Sequence, residues 1–228
     1  MTRFASILLV LFSSSLLRAQ DPAPAPAGDK EGVKVRFLAE QAPKEIAQVV
    51  LAAEEKRSAA FTLPTNNLSD MQLAPARTFK VQTVDKGLAL SSVVLPDAGK
   101  SFIVLLVPAP AGGYKPVVMR ADDPAFKAGD TYLYNHADKT VLGFVGTSKF
   151  TLEPGKGQSL RPAGARQGQF FDVGFGVREK DGDKPLSSTR WPVDPNIRSF
   201  LFFYNDSKTK RVTFRAVDEF VAPEKPKP

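Results

Sequence analysis

Few residue types in this chain are equipped to do chemistry, and their spacing narrows the choice further. The 228 residues include one histidine, His136, and no cysteine. Thiolate metal sites, thiol nucleophiles and disulfides are therefore excluded together. A blue-copper centre needs two histidines and a cysteine, so His136, in Asn135-His-Ala-Asp138, reads as a turn residue. A Ser-His-Asp triad survives in composition only, because no Gly-x-Ser-x-Gly elbow presents a serine. Glu153-Pro-Gly-Lys-Gly-Gln-Ser159 breaks the phosphate-loop pattern at Gly157 and reads as a turn. Asp181-Gly-Asp183 begins like a calcium loop, but Pro185 takes the third ligand position and no glutamate closes it, so a hairpin tip is expected. A glycosidase needs two carboxylates at a set separation. The pairs here, Asp122-Asp123, Asp181/Asp183 and Asp218-Glu219, are adjacent or nearly so, and neighbours on a strand face opposite ways. Asp123 and Asp218 fall at matching places in the two halves of the chain, which favours a structural role.

That leaves the sole tryptophan, Trp191, in Ser188-Thr-Arg-Trp-Pro-Val-Asp-Pro195. Beside proline it reads either as an anchor in a core or loop or as a stacking platform for a sugar ring, with Arg190 as a second contact. Trp191 and Arg190 are the candidate ligand contacts; no catalytic, cofactor-binding or metal-ligating residue is assigned, and no cofactor is expected.

The elements that must position these residues follow an N-terminal segment of another kind. Arg3 precedes an apolar run from Phe4 to Leu17 interrupted only by serines, the pattern of a signal-peptide core. Fourteen residues are too few for a membrane span, which takes about 20, so no stable span is expected once the leader is removed. Cleavage after Ala19 fits, and Ala27 is the alternative. No cysteine follows, which excludes bacterial-type lipid attachment. Export to the periplasm or the exterior is the expected route. Residues 20–32 form a Pro/Ala-rich linker and residues 222–228 a similar tail.

The net charge is +7, with Arg3 and Arg18 lost with the leader. The remaining positive charge is spread evenly, without the clustered basic face or interleaved aromatics of a nucleic-acid binder. Weak attraction to anionic envelope polymers is compatible with it.

From Val33 onward, short runs alternate in period two and stop at Gly, Pro, Asn or Asp, which reads as strands. Glu45 to Ser58 alone could pass for a helix by composition, yet its counterpart in the later half is plainly strand-like. The later half repeats the earlier one: Ala42–Ile46 matches Ala137–Val141, Phe61–Pro64 matches Phe150–Pro154, and Leu90–Ser92 matches Leu186–Ser188. Ser101–Leu106 then matches Ser199–Tyr204, and Lys115–Asp123 matches Lys210–Asp218. The order is kept throughout, which argues for internal duplication. The expected fold is all-β: two tandem immunoglobulin-like sandwiches, residues 33–121 and 130–221, joined by residues 122–129 and in contact across that short linker. One face of each strand is expected inside and the other wet. A single continuous sandwich or barrel is the alternative.

With Phe150-Thr-Leu-Glu-Pro-Gly155, and Phe61-Thr-Leu-Pro64 lacking the glycine, each half resembles the broad class of bacterial extracytoplasmic immunoglobulin-like domains. The resemblance covers most of residues 33–220 and implies fold and location only. The functional expectation is a non-catalytic exported protein that binds or scaffolds an envelope protein or polysaccharide; a carbohydrate-binding or carbohydrate-processing protein is the alternative, and strand addition to a partner's sheet is a third.

Overall fold

The computed structural model describes residues 32–42, 46, 48–206 and 208–222. The expected leader, nearly all of the Pro/Ala linker and residues 223–228 lie outside the described residues. All described secondary structure is β: sixteen strands in four four-stranded sheets. The earlier half contains β1 (Lys34–Ala39), β2 (Val49–Ala53), β3 (Lys56–Arg57), β4 (Gln72–Leu73), β5 (Thr78–Thr83), β6 (Ala89–Val94), β7 (Ser101–Pro108) and β8 (Tyr114–Arg120). The later half contains β9 (Thr131–Asn135), β10 (Val141–Val145), β11 (Ser148–Leu152), β12 (Gly157–Leu160), β13 (Phe170–Glu179), β14 (Gly182–Pro192), β15 (Ile197–Asn205) and β16 (Val212–Phe220).

Both halves are wired alike. The sheets β4-β1-β7-β8 and β3-β2-β5-β6 have counterparts strand for strand in β12-β9-β15-β16 and β11-β10-β13-β14. Each half pairs its first and seventh strands in parallel, and each places a bulge in its fifth-to-sixth strand hairpin, after Val81 in one and after Phe175 in the other.

The stretch with helical composition, Glu45 to Ser58, is a hairpin where it is described. Val49 and Leu51 drop into a core, and the chain reverses between β2 and β3 through Glu54, whose φ is 50°. Burial of the β2 apolar face outweighs the propensity of the Ala-Glu-Glu-Lys run, as tertiary packing commonly does.

Three apolar layers hold the molecule. Phe37, Leu51, Phe79, Val81, Phe102 and Val104 fill the space between the first pair of sheets. Leu133, Val141, Phe150, Phe175, Leu201 and Phe203 do so for the second pair. A third layer lies between the sandwiches: Leu38, Ile103, Leu105 and Val107 pack on Tyr134, Phe200, Phe202 and Val217. β7 and β15 are consequently buried on both faces, where one wetted face was expected. The physical reason is visible in Ser101–Val107, a continuous apolar run that has no polar side to give to water. Each such side chain taken out of water contributes roughly 1.5–3 kcal/mol, so the two sandwiches are bonded by a core of their own. The linker joins in: Phe126 is buried in this seam, its ring 5.6 Å from that of Phe200.

Registers correct the residue matching between halves. Matching Ser101 with Ser199 sets Phe102, which faces the first sandwich core, against Phe200, which faces the seam. In the sheets, Phe37 pairs with Val104 and Leu133 with Leu201, all four facing their own sandwich interiors. A one-residue slip in a strand exchanges its faces, so β7 corresponds to β15 one step away from the best letter match.

Charged groups close the seam at its margins. Glu219 receives Arg36 at 2.8 Å on one carboxylate oxygen and Arg198 at 2.7 Å on the other. Arg198 also donates to the carbonyl of Ala121 and lies over the Phe126 ring. Elsewhere Arg215 donates to the carbonyls of Glu40 and Thr65, and His136 Nδ1 stands 2.6 Å from Glu40 Oε2.

Candidate functional site

One end of the second sandwich does not close completely, and the gap is built from strand ends. β9 and β15 start there side by side, Thr131 opposite Ser199, and β16 passes with Ala216 and Asp218 turned to the same side as the core residue Leu201. Facing them, β10 ends at Val145, β13 contributes Phe171, its second residue, and β14 ends with Trp191 and Pro192. The resulting cavity holds about 170 Å³ and is also lined by Pro162, Asp194, Ile197 and Asp130. That is close to the ~150 Å³ known to take one benzene-sized ring.

Gly146 sets this geometry. It adopts φ 62°, bridges Ala163, and donates its N–H to the carbonyl of Asp172 at 2.7 Å. A Cβ there would strike the carbonyl of Ala163 and the ring of Phe171. Only glycine lets the Pro162 loop come this near to β10.

The lining has an apolar wall and a polar wall. Trp191 is partly buried, its ring 5.8 Å from Phe175 and tilted by 62°, so one part anchors in the core while another lines the cavity. On the polar side, the Ser199 hydroxyl donates to Asp218 Oδ1 at 2.6 Å. Asp130 is nearly buried; its Oδ2 accepts the Lys127 N–H, and Arg161 Nε lies 2.6 Å from its Oδ1. Asp194 accepts the Asn196 N–H. Thr131 is 3% exposed and lines the cavity from the same wall.

The structure separates the two residues chosen from sequence. Trp191 faces the sandwich interior, whereas Arg190, its neighbour on β14, projects from the opposite face, as strand geometry requires. Arg190 lies 4.8 Å over the Phe170 ring and 3.5 Å from Asp172. The other sequence candidates are engaged locally. Lys180 and Asp181 form the tip of the β13–β14 hairpin, and Glu153 to Lys156 make the turn into β12. Asp122 accepts from the Lys100 N–H and Arg120. Asp123 caps the turn at Ala125, whereas Asp218 faces the cavity, so the expected likeness of these two carboxylates does not hold in space. Thr131 and Ser199 carried no motif, and Asp218 was considered only as half of an adjacent carboxylate pair; the three meet because β9, β15 and β16 are neighbours.

Among the described residues, no group of three or more acidic or histidine side chains gathers as a metal site, and no helix is long and apolar enough to cross a membrane. Compared with known proteins, the chain matches no family model and no curated protein.

Proposed function

We propose that this chain is an exported, non-catalytic β-sandwich protein that serves as a binding or scaffolding component of the cell envelope. The observation that carries the reading is the third apolar layer, which joins two sandwiches into one stiff four-sheet body. Stiffness suits a part that presents loops and sheet edges at fixed positions. The apolar leader-like N-terminus supports export, and the shared wiring of the two halves supports descent from one duplicated module. The test is co-sedimentation of the purified protein with separate envelope fractions, run beside a hydrolysis panel of polysaccharides and esters. Saturable binding to one fraction without turnover is the expected result. Hydrolysis abolished by substitution of a single carboxylate would overturn the reading.

A carbohydrate-binding role is favoured by one specific observation, the placement of Trp191 on the wall of a ring-sized cavity with hydroxyl and carboxylate groups opposite.

A further inference from the structure

We infer that the cavity at the end of the second sandwich is a binding site for one neutral hexopyranose unit at the end of a glycan. The assignment rests on the carbohydrate-binding reading and goes past it by naming the site, the ligand's size and its charge.

Size comes first. About 170 Å³ accommodates a single six-membered ring, so a longer glycan enters only with its terminal unit. Next is the shape of the ligand's two sides. Trp191 and Phe171 offer flat apolar surface, which a pyranose meets with its C–H face, while Thr131, Ser199 and Asp218 bring oxygen atoms to the opposite wall beside Ala216 and Ile197. Most of those oxygens accept. Ser199 already spends its proton on Asp218 Oδ1, leaving its lone pairs and Asp218 Oδ2 as acceptors. The ligand must therefore bring hydroxyl donors, and O–H groups meeting a carboxylate form short, charge-assisted bonds. Thr131, 3% exposed and on the same wall, offers a hydroxyl as the complementary donor.

Charge decides against acidic sugars. Asp130, Asp194 and Asp218 all line the space, and the nearby cation, Arg161, is held by Asp130 at 2.6 Å. Arg190 stands on the other face of its sheet, engaged with Asp172 and Phe170. A ligand carboxylate or phosphate would meet repulsion, with no Lys or Arg among the residues that line the cavity.

Trp191 is the chain's sole tryptophan and lines this cavity, so tryptophan emission comes from one residue at the site. The experiment titrates the purified protein with methyl glycosides of glucose, galactose and mannose, with glucuronate, and with butylamine. A saturable change of emission with at least one neutral glycoside in the millimolar range is expected, with glucuronate weaker by about ten-fold or more. Asp218→Asn and Thr131→Val should each weaken the response by about ten-fold while melting and far-ultraviolet dichroism stay as in the parent. Absence of any saturable glycoside response, equal affinity for glucuronate, or binding of butylamine in place of the glycosides overturns the assignment. If Asp218→Asn disturbs folding, displacement of a bound glycoside signal by saturation-transfer NMR on Trp191→Phe gives the second reading, and unchanged binding there counts against the site. Envelope co-sedimentation without a glycoside response removes this site alone; loss of both removes the functional reading as well.

Discussion

Glu40 and His136 hold corresponding positions in the two sandwiches and meet each other across the seam. Each is the first residue after its strand, β1 or β9, and each donates its backbone N–H to the parallel neighbour, Glu40 to Leu106 in β7 and His136 to Phe203 in β15. Their side chains close to 2.6 Å. Two positions that are alike in wiring thus carry an acidic and a basic side chain that meet each other.

Glu40 is the more buried partner, so removing His136 leaves a carboxylate with poor access to water. His136→Ala is expected to lower the unfolding free energy by about 1–3 kcal/mol, and Glu40→Gln with His136→Ala together by less than the two single losses combined. A double-mutant cycle from denaturant melts measures this. Additive losses would mean that the pair does not interact.

Glu219 stands between Arg36 and Arg198, all three largely shielded from water. Glu219→Gln sets two guanidinium groups facing each other without the anion that holds them. Breaking a buried pair on one side costs about 3–5 kcal/mol; with Arg36 a quarter exposed, about 2–4 kcal/mol is expected here. Restoring stability by adding Arg36→Met to Glu219→Gln would identify charge, and not packing, as the cause.

The seam makes the two sandwiches one folding unit. Phe200 is fully buried between them, so Phe200→Ala is expected to cost about 3–5 kcal/mol and to lower a single melting transition, with no second one appearing. Calorimetry distinguishes the cases: two resolved transitions in the parent protein would show that the third apolar layer does not couple the halves. Residues 32–121 expressed alone would present Leu38, Ile103, Leu105 and Val107 to water and should associate or precipitate.

The pattern that exposed the fold in the chain is the same one that concealed the seam. Alternation such as Val212/Phe214 against Thr213/Arg215 marks strands and predicts an inner face, and Val212 and Phe214 do lie in the second sandwich core. It then assigns Arg215 to water, although Arg215 reaches two carbonyls of the other sandwich. Ser101–Val107 already showed, by having no polar side, that one strand must be covered twice. Letter matching between halves was blind to face, since Phe102 and Phe200 look alike and point to different layers. Trp191 was recognisable as unusual from its type alone. Arg190 was attached to it by adjacency, which on a strand means opposition. Ser199 and Asp218 face each other on the consecutive strands β15 and β16, but Thr131 reaches them from β9, far away in sequence, and short polar residues at strand ends give no signal until the sheet exists.

The hairpin tip at Lys180-Asp181 is pinned by exposed charges. Hydrogen bonds from Lys139 and then Lys184 hold the Glu179 carboxyl down to about 2, with nitrogen-to-oxygen distances of 2.8 and 2.5 Å. A carboxyl depressed on folding adds stability above its ordinary range and loses that contribution as pH falls through the folded value. An NMR titration of the Glu179 side chain should therefore show a midpoint far below an ordinary glutamate, rising in Lys139→Met and further with Lys184→Met. Added salt should move it the same way, because the group is at the surface. An unshifted midpoint in the parent would remove both contacts from solution.

Gly146 ties the stability of the second sandwich to the shape of its cavity. At φ 62° a non-glycine residue pays about 1–2 kcal/mol in backbone strain alone. Its Cβ would further drive against the Ala163 carbonyl and the Phe171 ring. The carbonyl belongs to a backbone bridge that cannot yield without moving the Pro162 loop, and Phe171 forms part of the same cavity wall as Trp191. Gly146→Ala is therefore expected to lower stability by more than the strain alone and to shift Trp191 emission in the folded protein at the same time. Gly155→Ala is the control, since it has φ 74° with open space around its Cβ. It should cost about 1–2 kcal/mol and leave Trp191 emission unchanged. Equal emission shifts in both variants would show that the tryptophan responds to general loosening, and not to the wall that Gly146 sets.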